Sequence, residues 1–259
     1  MAMAMFAGSA SAVTTDGNWT DWFSFAPIGQ LNDFDWKDGN VTLLNANYRT
    51  QVDPDNDASG GQNYDIEQIF YYFEDADPNN LTGGTLHIGM VTGFPSSGIA
   101  GIEAGDLFLD FGNTGSYNLA VAVGDDNPLR FEDAWTNSGA PNWTTTSVNV
   151  PAHVATADPY RVDETQPGAI PFAGVNVAWG AISSRHNFME VSIDVDAALE
   201  DVLTNQFGGI GIHWTMECGN DFIDVKDDTP FVPVPEPATL VLFGMGVLGI
   251  ALRARRPQC

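Results

Sequence analysis

The sequence predicts an all-β fold: an antiparallel β-sandwich of jelly-roll type with one short helix, plus a separate apolar helix near the C-terminus. Three observations predict it. Apolar residues recur with period two along most of the chain, the pattern of strands with one face in a core. The composition favours turns and aromatics, with 27 Gly, 15 Pro, 16 Phe and 7 Trp among 259 residues, and long runs of Ala, Leu, Glu and Lys are absent. Clusters of Asp, Asn, Gly and Pro punctuate the alternating segments.

Taken in chain order, Ile69-Phe70-Tyr71-Tyr72-Phe73 is apolar throughout and reads as a central strand covered on both faces. Leu86, Ile88 and Met90 alternate with Thr85, His87 and Gly89. Leu119, Val121 and Val123 alternate with Asn118, Ala120 and Ala122. Val175, Val177 and Trp179 alternate with Asn176 and Ala178. Met189, Val191, Ile193 and Val195 alternate with Glu190, Ser192, Asp194 and Asp196. Ile210, Ile212, Trp214 and Met216 alternate with Gly211, His213, Thr215 and Glu217. Each reads as a half-buried strand. That places Trp179 and Trp214 in the core, exposes Asp194 and Asp196, and sets His87 and His213 on solvent faces. Asp196 is the expected N-cap of the short helix, over residues 197–203. Turns are expected at Asp77-Pro78-Asn79-Asn80, Thr82-Gly83-Gly84 and Gly124-Asp125-Asp126-Asn127-Pro128. Residues 137–167 are the least patterned and read as long loops. No tandem repeat or internal linker divides residues 13–232, which read as one domain.

Charge excludes some partners. The chain has 9 Lys+Arg against 34 Asp+Glu, a formal net charge of −25. Before Pro235 there are 33 acids and 6 bases, a net of −27. Nucleic acid is excluded as an electrostatic partner, because a polyanion binder needs clustered base. A direct, metal-free grip on an anionic membrane is disfavoured likewise. The two cysteines give no zinc spacing. Cys218 continues the inward phase of Trp214 and Met216 and reads as a buried, inert thiol. Cys259 is the last residue, and no disulfide between them is expected.

The two ends read as addresses. Ala10 and Ala12 fit an A-x-A signal-peptidase site with cleavage before Val13, so residues 1–12 read as a truncated secretory signal. At the other end, Pro235-Glu236-Pro237 precedes an uncharged run over 238–252, followed by Arg253, Arg255 and Arg256. As a helix the run spans about 22 Å, short of the roughly 30 Å hydrocarbon core. It inserts with the basic tail, 253–256, held on the cytoplasmic side. These three parts in order resemble the PEP-CTERM sorting signal of Gram-negative bacteria. The resemblance covers about 25 residues, placed here at 233–259. It implies export, transient anchoring in the inner membrane by a transmembrane helix over 238–252, and release by the membrane enzyme exosortase at a motif that includes Pro235, Glu236 and Pro237. It also implies a cell-surface or extracellular-matrix destination in exopolysaccharide-producing hosts.

The body has a looser likeness. Tyr64-Asp65-Ile66-Glu67, Leu86-His87-Ile88, Gly105-Asp106-Leu107-Phe108-Leu109-Asp110 and Met189-Glu190-Val191-Ser192-Ile193 follow one another in an order similar to DOMON-like and family-nine carbohydrate-binding sandwiches. That resemblance implies sugar or haem ligands, often with structural calcium. No Met and His pair suited to haem is present.

Candidate chemistry is sparse. Asp53, Asp55 and Asp57 alternate in a loop ending Gly60-Gly61, and hard-oxygen calcium sites are built that way. Asp65 or Glu67 would complete the shell. Ala58 and Tyr64 depart from the EF-hand pattern, and a solvated acidic turn explains the loop equally. Glu217, Asn220, Asp221, Asp224, Asp227 and Asp228 form a second acidic group, read as a charged edge hairpin that blocks aggregation. The histidines, His87, His153, His186 and His213, show no metal or protease spacing, and there is no G-x-S-x-G elbow. Trp19, Trp22, Trp36, Trp135 and Trp143 lie outside the clean strands, either as sugar platforms or as satellite clusters. Four Asn-x-Thr triplets, beginning at Asn18, Asn40, Asn80 and Asn142, are attributed to chance. The sequence thus reads as an exported, exosortase-processed, non-catalytic surface or matrix protein associated with exopolysaccharide. Two rivals stay open: a carbohydrate-binding module holding the matrix polymer, and a secreted polysaccharide hydrolase.

Overall fold

The computed structural model describes residues 13–25, 41–44, 48–52, 61–74, 83–124, 132–137, 145–146, 159, 161–163, 169–195 and 209–229. Its strands in chain order are β1 (Phe23–Phe25), β2 (Val41–Leu43), β3 (Arg49–Val52), β4 (Ile66–Glu74), β5 (Thr85–Thr92), β6 (Asp106–Phe111), β7 (Leu119–Ala122) and β8 (Ala134–Asn137). There follow β9 (Thr145–Thr146), β10 (Arg161–Val162), β11 (Ala169–Phe172), β12 (Val175–Ala181), β13 (Asn187–Asp194), β14 (Ile210–Thr215) and β15 (Phe222–Asp227). Two 3-10 turns, Trp19–Asp21 and Gln62–Tyr64, are the described helical pieces.

The strands form a six-stranded sheet in the order β11-β8-β7-β6-β14-β15 and a five-stranded sheet in the order β12-β13-β5-β4-β3. Every pairing is antiparallel. The small pairs β1-β2 and β10-β9 complete the topology. The period-two residues of both large sheets meet in one core. Ile69, Tyr71, Leu86, Ile88, Met90, Met189, Val191 and Ile193 come from one sheet, and Leu107, Leu109, Leu119, Val121, Ile212, Trp214 and Val225 from the other. Trp179 packs partly buried against this core, and Asp194 is exposed, as the alternation predicts. The aromatic run in β4 is covered on both faces, but stands one strand in from the edge instead of at the centre. Exposed Pro171 sits in edge strand β11, where a missing N–H costs no ladder bond.

One expectation is corrected. Of the strands read as half-buried, β12 stays partly exposed as read, but β5, β7, β13 and β14 are buried on both faces, because each sheet carries a second layer. On the outer face of the five-stranded sheet, Val13, Trp22 and Phe23 of the N-terminal segment pack with Tyr48, Phe70, Tyr72, Val91 and Phe188. Gly89 makes room for this layer, since a Cβ there would stand 2.6 Å from the Phe188 ring and 3.1 Å from Trp22. On the other sheet, Phe108, Ala120, Ala122 and Trp135 pack with Val162 of β10. His87 and His213 are therefore buried, at 5% and 1% exposure, and not on solvent faces.

The expected helix over 197–203 with its cap Asp196, and the apolar run 238–252, lie outside the described residues. Among the described residues no helix is long and apolar enough to cross a membrane. Within 137–167, expected as loops, β9 and β10 pair with each other.

Candidate functional site

Polar side chains buried between the sheets and their outer layers supply the chemistry the fold can offer. Most of them hold segments together. Glu190 sits on the outward phase of β13, 1% exposed. Its Oε1 accepts from Trp22 Nε1 at 2.6 Å, and its Oε2 from the backbone N–H of Gly17 at 2.6 Å and of Asp16 at 3.0 Å. Burial raises its carboxyl above the ordinary value, against the lowering effect of these three donors. Gly17 has φ +76°, and a Cβ on it would strike the Trp179 backbone at 2.5 Å, so only glycine lets the segment lie this close. The next residue, Asn18, caps the 3-10 turn by accepting from Thr20 N. The Asn-x-Thr triplet there is thus a local turn.

His213 bridges two elements beneath the other outer layer. Its Nδ1 lies 2.6 Å from Asp224 Oδ1 and its Nε2 3.0 Å from the Pro159 carbonyl. A carbonyl only accepts, so a proton sits on Nε2. Asp106 Oδ2 accepts from Val162 N at 2.8 Å, pinning the same segment.

The acidic group of residues 217–228 lies in the turn before β15, in β15 itself, an edge strand as expected, and just after it, but its members do more than repel neighbours. Asp221 is buried and accepts from Ile66 N at 2.6 Å and Phe222 N at 2.8 Å. Asp227 accepts from Arg49 at 2.7 Å and Tyr71 at 2.9 Å, joining the two sheets at their open side. Burial pulls Asp227 upward, but the hydrogen bonds from Thr229, Tyr71 and Arg49 outweigh it and hold its carboxyl below the ordinary value.

A further cluster escaped the sequence reading. Glu67 is the extra residue at a register shift between Ile66 and Gln68, and such bulges re-aim a side chain. Its Oε1 lies 3.0 Å from His186 Nε2 and is bonded by Gln62. Ser183 Oγ lies 3.3 Å from His186 Nδ1. This gives a hydroxyl, an imidazole and a carboxylate in a row. Ser183 Oγ also accepts from Arg185 N and His186 N, each at 3.2 Å, so it caps its own turn.

Of the four candidate calcium ligands, Asp53, Asp55 and Asp57 lie outside the described residues. Asp65 is buried beside Gln62, and its carbonyl accepts from Gly93 N at 2.8 Å. Among the described residues no group of three or more His, Cys, Asp or Glu could hold a metal ion. Cys218 is buried and free, its thiol raised first by burial. Trp22, Trp135 and Trp214 are buried, and Trp19 stacks on Phe23 at 5.3 Å between ring centroids. Trp36, Trp143 and the sorting residues Pro235, Glu236, Pro237, Arg253, Arg255 and Arg256 lie outside the described residues, as does His153.

The described body is thus an all-β sandwich whose buried polar groups mostly tie strands and segments together. The chain carries a PEP-CTERM protein-sorting motif, matched at residues 233–256. That motif marks an exported protein sorted to the cell surface of Gram-negative bacteria through exosortase. No curated protein and no solved structure matches the chain.

Proposed function

We propose that the protein is a non-catalytic surface or matrix component: a rigid β-sandwich over residues 13–232, exported, held briefly in the inner membrane by 238–252, and released by exosortase to associate with exopolysaccharide. The observation that carries this reading is the sorting motif at 233–256, which begins six residues past the last residue of β15. Removing the tail takes nothing from the described strands. The role of the buried polar groups as structural ties supports a scaffold over an enzyme. Intact-mass measurement of surface-extracted protein, with and without the host's exosortase, tests it. The expected mature form lacks Arg253, Arg255 and Arg256, and an unchanged chain ending at Cys259 overturns the reading.

A second reading, a secreted hydrolase, has the Ser183–His186–Glu67 row in its favour. An activated hydroxyl needs a base within hydrogen-bond reach and a group orienting that base. The two backbone donors on Ser183 Oγ weigh against it. Labelling by a fluorophosphonate, lost in Ser183→Ala, would favour the hydrolase. Sugar binding, by the DOMON-like likeness, draws no support from the described tryptophans, none of which is exposed.

A further inference from the structure

Val13 is the residue that a cut after Ala12 would make the first of the mature chain. Its side chain is 6% exposed and belongs to the outer aromatic cluster with Trp22, Tyr48 and Tyr72. A cut one residue later would remove that apolar anchor. The Val13 backbone hydrogen-bonds the Tyr72 hydroxyl, and that hydroxyl lies 3.4 Å from Glu74 Oε2. Thr14 N donates to Asp21 Oδ2 at 3.3 Å. The nitrogen of Val13 thus lies in a negative field from Glu74 and Asp21, and both acids also push up the nearby Tyr48 hydroxyl, after burial, to about 12.

No lysine or arginine among the described residues pairs with Glu74 or Asp21. The basic group beside Glu74 is His87, whose Nε2 is 3.3 Å from Glu74 Oε2 and whose ring stacks on Tyr72 at 4.9 Å. Burial lowers the His87 pKa, outweighing Glu74 and Asp194, which raise it, so the imidazole is neutral near pH 7. Its Nδ1 has no hydrogen-bond partner, and its Nε2 meets the Glu74 carboxylate without the alignment of a good hydrogen bond. Among the described residues, Glu74, half-exposed, and Asp21 therefore bring negative charge with no lysine or arginine partner to the one backbone nitrogen that export would convert to a cation.

We propose that hydrolysis of the Ala12–Val13 bond frees an α-ammonium that docks on the Tyr72 hydroxyl and the Glu74 carboxylate, so that the export cut itself completes the outer layer of the sandwich. In that hydrolysis the C–N bond breaks, the hydroxyl of water goes to the Ala12 carbonyl carbon and its proton to the Val13 nitrogen, and the new Ala12 carboxyl gives up its own proton, leaving a carboxylate and, with one further proton on the amine, an α-ammonium. The amide N–H, a single neutral donor, becomes three charged donors, and charge-assisted hydrogen bonds are about twice as strong. The inference rests on the export reading above. The two fail separately, because one is read by sequence and the other by stability.

The first arm is N-terminal sequencing of surface-extracted protein, with Val13 expected first. The second compares melting of two chains ending at Cys259. One starts at Val13, freed by a site-specific protease from an upstream tag, and the other retains Ala10-Ser11-Ala12. Both are made with Glu74 and with Glu74→Gln. The Val13 chain should melt about 2–4 °C higher at pH 7, and the gap should close in Glu74→Gln. An amine that gains a partner has its pKa raised in the fold. The gap should therefore be full below the free amine's value of about 8 and vanish as pH rises through the folded value. The facing groups leave that window clear: burial holds His87 below the ordinary imidazole value, Asp21, Glu74 and Asp194 are carboxylates, and burial pushes the Tyr48 hydroxyl up to about 12 and the Tyr72 hydroxyl well above its ordinary value. A different first residue overturns the cleavage. A Val13 start with equal melting, or with a gap that survives Glu74→Gln, overturns the docking.

Discussion

Trp22→Phe tests whether Glu190 is the latch for the N-terminal layer. Phenylalanine keeps a ring in the fully buried Trp22 site but deletes the Nε1–H that meets Glu190 Oε1 at 2.6 Å. A hydrogen bond to a charged group contributes about 1.5–3 kcal/mol, and the smaller ring leaves a cavity that adds about 1 kcal/mol. The expected loss is about 2.5–4 kcal/mol, a large share of the roughly 5–15 kcal/mol that holds a domain folded. The melting point should fall by about 10 °C. The loss should also depend on pH. Burial already raises the Glu190 pKa against its three donors, and removing one donor raises it further. A raised carboxyl binds its proton more readily folded than unfolded, so the stability it confers falls as pH rises through the raised value. Variant and parent should therefore differ most at pH 8 and least at pH 5. Urea unfolding followed by fluorescence at both pH values measures this. An equal difference at the two would show that ring volume, not the carboxylate latch, sets the cost.

Three further outcomes follow from the same structure. Gly89→Ala should cost about 1–3 kcal/mol by overpacking, because the new Cβ would meet Phe188 at 2.6 Å; a neutral effect in chemical denaturation would mean the outer layer does not seat there. His213→Ala should free the segment from Pro159 to Val162 and raise hydrogen exchange at Val162, whose N–H is bound by Asp106, and unchanged protection there would show that Asp106 alone suffices. Cys218 should resist iodoacetamide at pH 8 in the native state and react on unfolding, because burial raises its thiol.

The inner core was readable because period-two alternation reports one face directly. Met189, Val191, Ile193, Ile212 and Trp214 took their predicted places. The outer layers were not readable, because the same alternation assigns every polar position to water. His87, Glu190 and His213 look solvated in sequence and are buried under segments remote in the chain: Trp22 lies 168 residues from Glu190. One clue was present in Gly89, a strand glycine that marks close approach. The Glu67–His186 pair was hidden for a different reason. A bulge between Ile66 and Gln68 breaks the alternation just where the carboxylate is aimed, and no pattern in Tyr64-Asp65-Ile66-Glu67 announces it.

The described sandwich fastens both of its chain ends with contacts of its own. At the C-terminal end, Arg49 donates to the Thr229 carbonyl at 2.7 Å and Thr229 N to Asp227 Oδ1 at 2.8 Å. The chain is thus tied to the five-stranded sheet before the sorting motif starts at residue 233. At the N-terminal end, Glu190 holds Asp16, Gly17 and Trp22, while Val13 is seated in the aromatic cluster. Apart from the packing of Val13, each tie is a hydrogen bond to a carboxylate or carbonyl made within the described sandwich. The consequence is asymmetric in pH. Asp227 has a lowered pKa, so its contribution is present above the ordinary carboxylate value and is lost as pH falls through the folded one. Glu190 has a raised pKa, so its end is weakened as pH rises instead. Acid should therefore loosen the exit toward the sorting motif before it loosens the N-terminal latch, and hydrogen exchange at Thr229 N and Gly17 N, compared between pH 3 and pH 7, should show that order.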